Sequence, residues 1–164
     1  MQNNITREDR EELIAFLRQD AFLTQSHQVA SFEKEWGEWL GTPYNVFVNS
    51  GSSANLLSLE GLRDTIGPGN IVVSALTWPS QINAILKTGF FPIFVDIDPY
   101  TLGLDPQQLI LKITAQTRAV ILTHVLGLCG LTSSILEFLA EKNIVLLEDA
   151  CEATGATYQG KKLG

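Results

Sequence analysis

Three short segments of this 164-residue chain carry residue types that can do chemistry, at spacings that suit it. In the first, Val48-Asn49-Ser50-Gly51-Ser52-Ser53-Ala54-Asn55-Leu56-Leu57, an apolar run breaks at a glycine and small hydroxyl residues open a helical pattern. A strand-to-helix junction of this kind gathers free backbone N–H groups at the positive end of the helix dipole, with hydroxyls beside them, and so suits a phosphate. Ser52 and Ser53 would serve equally as ordinary N-caps of a helix that binds nothing. The second segment, IVLLEDACEATGA, sets Glu148 and Asp149 directly after four apolar residues. Ligands of open α/β sheets bind beyond the carboxyl ends of strands. An aspartate there can keep a pyridine nitrogen protonated and make the ring a better sink for carbanion electrons; capping the next turn is its alternative use. The third segment, Ala75-Leu76-Thr77-Trp78-Pro79-Ser80, puts an indole just past another apolar run, where it stacks on a flat ligand or buries its face in the core.

Positioning these groups falls to the elements between them. Short apolar runs bounded by turn residues, at 45–49, 71–75, 93–97, 119–123 and 144–148, read as buried strands. Helical patterns fill 53–63, 80–87, 106–112 and 131–142. Strands alternating with helices predict a three-layer α/β/α fold with a largely parallel sheet, and hence all three segments at one edge of it. Two helices come first. One covers 6–19 behind a Thr6 cap; the other covers 28–40, with Val29, Phe32, Trp36, Trp39 and Leu40 at helical spacing and Gly41 and Pro43 at its end. The expected organisation is a helical arm over 1–40 and an α/β domain over 41–164.

Composition narrows the function classes. A formal charge of -7 and a pI near 4.7 offer no basic stripe for a phosphate backbone, so no nucleic-acid partner is expected. Cys129 and Cys151 form neither a disulfide framework nor a metal spacing, which fits a reducing cytoplasm and predicts no metal site. Charges at the N-terminus exclude a signal-peptide pattern, and no apolar run reaches the eighteen or so residues of a membrane span.

Four segments, FEKEWGEWLGTPYNVFVNSGSSANLL, VVSALTWPSQINAILKTGFFPIFVDIDPYTLGLDP, AVILTHVLG and VLLEDACEATGATYQGKKLG, resemble in order and spacing the DegT/DnrJ/EryC1/StrS family of fold-type I pyridoxal-phosphate enzymes, which act on nucleotide-linked keto-sugars. The resemblance implies part of the large domain of a PLP-dependent transferase of the aspartate aminotransferase-like fold. It implies that Gly51, Ser52 and Ser53 hold the cofactor phosphate, that Trp78 stacks on the pyridine ring, and that Asp149 pairs with its nitrogen. Glu152 falls where the family has Gln or Glu near the ring oxygen. His124, in a segment similar to the family's VHLYG strand end, is a further candidate for a place near the cofactor, although a lone histidine after an apolar run also serves as a satisfied structural residue. The family's Schiff-base lysine is expected downstream of YQGKKLG; Lys161 and Lys162 match a surface turn instead, so no catalytic residue is expected within these 164.

For the parent protein, the resemblance implies amino transfer from an amino-acid donor, glutamate being the expected one, to a nucleotide-activated keto-sugar, with pyridoxal 5'-phosphate passing through pyridoxamine 5'-phosphate. Alternatives are a pyridoxamine-phosphate-dependent sugar 3-dehydratase of the same family, with His in place of the lysine, and a non-catalytic truncated module. A cytoplasmic homodimer is expected, with Trp36, Trp39 and the N-terminal helices at its interface.

Overall fold

The computed structural model of the chain describes residues 4–164, so the first three residues of the expected arm lie outside the described residues. The chain divides into two units, Met1–Phe47 and Val48–Gly164.

In the first unit, α1 (Arg7–Leu17) starts at a capping box: Thr6 Oγ1 accepts the Asp9 N–H at 3.1 Å and the Asp9 carboxylate accepts the Thr6 N–H at 2.8 Å. Helix α2 (His27–Leu40) stops at Gly41, whose φ of 90° is a left-handed conformation that glycine adopts without strain. Its aromatic residues pack on one another, with ring centroids 5.7 Å apart for Phe32 and Trp36 and 4.8 Å for Trp36 and Trp39. Residues 45–49, expected as a strand, pair with no strand among the described residues. A short apolar run only permits a strand, whereas a ladder needs a neighbour in register. The Phe47 N–H is satisfied instead by the Glu33 carboxylate, at 2.7 Å.

The second unit runs α3 (Gly51–Ile66), β1 (Asn70–Ser74), α4 (Pro79–Lys87), β2 (Phe91–Val95), α5 (Pro106–Lys112), β3 (Thr117–Thr123), α6 (Ser133–Lys142) and β4 (Val145–Asp149). A small antiparallel hairpin, β5 (Thr157–Tyr158) with β6 (Lys161–Lys162), follows. Strands β1 to β4 form one parallel sheet in the order β2-β1-β3-β4. The central pair is the more deeply buried, and Pro92, which has no N–H to give a ladder, lies in edge strand β2. The sheet is covered on both faces, as a parallel sheet requires. Leu59 of α3 with Ala84 and Ile85 of α4 pack on Ile71, Val73, Ala119 and Ile121. Leu109 of α5 with Ile135 and Leu139 of α6 pack on Val72, Val95, Val120 and Leu122. The expected three-layer α/β fold is therefore the fold observed, with strand ends displaced by one or two residues.

From β1 the chain crosses outward to β2 and then returns past β1 to β3. The strand order thus reverses between β1 and β3, and the crevice beyond their carboxyl ends is the place where such sheets bind ligands. The loops that follow β2 and β3 meet at two glycines. A Cβ on Gly103 would lie 2.6 Å from the Gly130 Cα, so that approach needs a residue without a side chain.

Candidate functional site

Helix α3 opens at the amino end with Ser50 as its cap. Ser50 Oγ accepts the Ser53 N–H at 3.2 Å, and the Ser53 hydroxyl donates to Asn49 Oδ1 at 2.7 Å. The N–H groups of Gly51 and Ser52 have no intrahelical acceptor, as at any helix start, and both residues are exposed. Ser52 and Ser53 face Ser80, Asn83 and Lys87 of α4 across a cleft of about 290 Å³.

Beyond β1, Trp78 caps α4 with Pro79 at the first helical position, and the residue is 57% exposed. It lines a second cleft, of about 300 Å³, with Leu76, Thr77, Thr123, Val125, Leu126 and Glu152. No lysine lines this cleft. The Glu152 carboxylate accepts the Leu126 N–H at 2.8 Å, pinning the turn that follows β3, where Leu126 has a φ of 54°.

Asp149 is the last residue of β4, in register with Thr123 of β3. Its Oδ2 accepts from Gln81 Nε2 at 2.6 Å and its Oδ1 accepts the Cys151 N–H at 3.2 Å. Partial burial pulls this carboxyl upward. The donors facing it, the thiol and N–H of Cys151 with Gln81 and Asn55, outweigh that effect and hold it below the usual carboxylate range. Asn55 belongs to the first turns of α3, so the acid touches the helix that carries the serines.

The structure therefore brings Gly51, Ser52, Ser53, Trp78, Asp149 and Glu152 to the carboxyl end of the sheet. His124 comes to the same edge, its backbone N–H donating to the Asp149 carbonyl at 3.0 Å, but its side chain has other partners. It is fully buried, its Nδ1 accepting the Gly130 N–H at 3.1 Å and its Nε2 lying 2.9 Å from Glu148 Oε2. With Nδ1 an acceptor, Nε2 carries the proton and donates to the carboxylate. Glu148 precedes Asp149 in the strand, and successive side chains leave opposite faces, so His124 clasps the turn after β3 on the side away from Asp149.

Gln81 is the member of the cluster that sequence reasoning missed. Its signal was a polar residue at a position which, with Ala84 and Ile85, makes up the buried stripe of α4.

Partial burial, the hydrogen bond to Asp149 and the charges of Asp149 and Glu152 push the Cys151 thiol up to about 11. Cys151 should accordingly be alkylated at pH 8 on the order of ten-fold more slowly than an ordinary exposed thiol, the scarcity of thiolate being partly offset by its higher nucleophilicity. Asp149→Asn should speed the reaction by removing a charge and an acceptor; peptide-resolved mass spectrometry of iodoacetamide labelling reads both.

Set against known proteins, the chain matches the DegT/DnrJ/EryC1/StrS aminotransferase family over residues 3–164. It is 34% identical over 152 residues to the lipopolysaccharide biosynthesis protein RfbH of Salmonella typhimurium, covering 88% of this chain and 35% of that protein. To the GDP-perosamine synthase of Caulobacter vibrioides it is 36% identical over 137 residues, covering 83% of this chain and 36% of that one. The structure of the E. coli GDP-4-keto-6-deoxy-D-mannose-3-dehydratase with bound hydrated PLP superposes with a TM-score of 0.90 at 30% identity, covering 98% of this chain and 42% of that one. The chain thus spans well under half the length of the proteins it matches. Its doubly covered parallel sheet is the corresponding part of their large α/β domain. A pattern matched along almost the whole sequence and a backbone that follows a solved family member lead to one conclusion: this chain belongs to the DegT/DnrJ/EryC1/StrS aminotransferase family.

Proposed function

We propose that this chain is part of an enzyme that transfers an amino group from an amino-acid donor, glutamate, to a nucleotide-linked keto-sugar, and that residues 41–164 are its share of a domain holding pyridoxal 5'-phosphate and pyridoxamine 5'-phosphate, with residues 1–40 as a helical arm. The observation that carries the reading is Asp149, a carboxylate oriented by donors and kept anionic at the carboxyl end of β4. The donor set fits the cofactor. The N–H groups of Gly51 and Ser52, with the Ser52 hydroxyl, suit a phosphate dianion at the positive end of α3, while the Ser53 hydroxyl already serves Asn49 and orders the turn. The exposed Trp78 indole offers a flat apolar plate to an aromatic ring, and Asp149 would hold the proton of a pyridine nitrogen. When bound, the cofactor supplies an electron sink for a carbanion. Glu152, fixed by the Leu126 N–H and lining the same cleft as Trp78, would lie near the ring oxygen.

A second reading is a sugar 3-dehydratase, favoured by the likeness to the E. coli enzyme of that activity. Both readings use the residues above, and they part at a residue that Gly51 to Glu152 do not include. Titrating the protein with pyridoxal phosphate tests what they share. A chromophore with a shifted absorbance band supports the site, whereas the spectrum of free cofactor leaves the inert module.

No helix among the described residues is long and apolar enough to cross a membrane, and the protein is proposed to work in the cytoplasm as a homodimer, with the Trp36–Trp39 face of α2 at the interface. Gel filtration should accordingly give twice the chain mass of 18.0 kDa; a clean monomer would count against this assembly.

A further inference from the structure

We infer that Gln81 is a positioning residue of this site: its side-chain amide ties the Asp149 carboxylate to the Thr77 and Thr123 hydroxyls and so to the first turn of α4. The inference rests on the cofactor reading above and extends it to a residue outside the cofactor's reach.

A glutamine with no exposed surface in the apolar stripe of a helix is costly unless every polar atom is satisfied. Here each one is. One N–H of Nε2 goes to Asp149 Oδ2 at 2.6 Å and the other to Thr123 Oγ1 at 3.1 Å. Oε1 accepts from the Thr77 hydroxyl, and Thr77 Oγ1 lies 3.0 Å from Thr123 Oγ1. The bonds close into a ring: amide N–H to Thr123, Thr77 O–H to the amide oxygen, and the Thr123 hydroxyl within reach of both Thr77 Oγ1 and, at 3.3 Å, the amide oxygen. The free amide N–H points at the carboxylate. Turning the amide over would set its oxygen against an anion, so the charge of Asp149 fixes the direction of the whole ring.

The ring also spans the strand ends that matter. Thr77 follows β1, Thr123 ends β3 and Asp149 ends β4. Gln81 further donates its backbone N–H to the Trp78 carbonyl at 3.0 Å, within the first turn of α4. The acid is therefore joined to the Trp78 backbone through one helical turn.

Gln81→Met keeps the length and volume of the side chain and removes both donors. In cofactor-free protein, the Asp149 carboxyl followed by carbon-13 NMR should titrate at higher pH in Gln81→Met than in the wild type. Pyridoxal phosphate should bind roughly ten-fold more weakly, the effect expected of one lost charge-assisted hydrogen bond. Should Gln81→Met fail to fold, Gln81→Glu decides. It sets two carboxyl groups at hydrogen-bond distance, and one proton should stay bound to the pair well above the usual carboxylate range. Asp149 titrating in Gln81→Met as in the wild type, two independent ordinary acids in Gln81→Glu, or undiminished cofactor affinity in Gln81→Met would each overturn the inference. A wild-type protein that does not bind the cofactor refutes the cofactor reading instead, and the carboxyl titrations still decide whether Gln81 sets Asp149.

Discussion

Asp149→Ala is expected to weaken pyridoxal phosphate binding by about 100-fold, the value of a charge-assisted hydrogen bond of nearly 3 kcal/mol in a half-buried setting. Two losses add. The ring nitrogen loses the anion that holds its proton, and the buried Gln81 amide loses the acceptor that fixes its direction. Asp149→Asn should fall between the two, because its amide fills the space and can still bond to Gln81 but carries no charge. Equilibrium dialysis or an absorbance titration measures all three proteins, and equal affinity in wild type and Asp149→Ala would remove the central support of the proposed site. The same residue gives the pH dependence its sign. The folded Asp149 carboxyl lies below its unfolded value of about 3.9, so its stabilising contribution is complete above that pH and is lost as the pH falls through the lower folded value. Between those limits the wild type should lose stability on acidification faster than Asp149→Asn.

His124→Ala should cost about 3 kcal/mol of folding stability while reducing cofactor affinity far less than Asp149→Ala does. The imidazole has no exposed surface, so its removal leaves a cavity. It also strips the Gly130 N–H of its acceptor and the Glu148 carboxylate of its donor, each loss worth about 1–3 kcal/mol. Gly130 itself is pressed against Gly103 and the Leu122 side chain, so the loop has little freedom to find new partners. Urea denaturation gives the stability, and the cofactor titration gives the affinity. A loss of affinity as large as that of Asp149→Ala, without loss of stability, would move His124 into the cofactor's surroundings and contradict the clasp described here.

Local physics made much of this molecule legible from its sequence. Helices α1, α2, α4 and α5 were placed within two residues because caps and periodicity are properties of neighbouring residues: Thr6, Pro79 with Trp78, Asp105 and Gly41 each mark an end by a bond or a dihedral angle that needs no distant partner. Strands β1 and β3 were legible because residues buried on both faces of a parallel sheet form continuous apolar runs, and β2 and β4 carry shorter versions of the same signal. The positions of Asp149 and Trp78 just past such runs, and so at one edge, followed from the same reading.

What the sequence determined by itself, then, was the kind and order of the elements, the family they belong to and the edge of the sheet to which the chemical groups come. Tertiary structure alone decided that 45–49 has no strand partner among the described residues, that the order reverses between β1 and β3, that the His124 side chain turns to Glu148, and that Gln81 joins Thr123 and Asp149. The physical reason is common to all four. Strand pairing, the face a side chain takes and the partner of a buried amide depend on residues brought close from 24 to 68 positions away in the chain, and no periodicity within a single segment encodes which distant atom will be there.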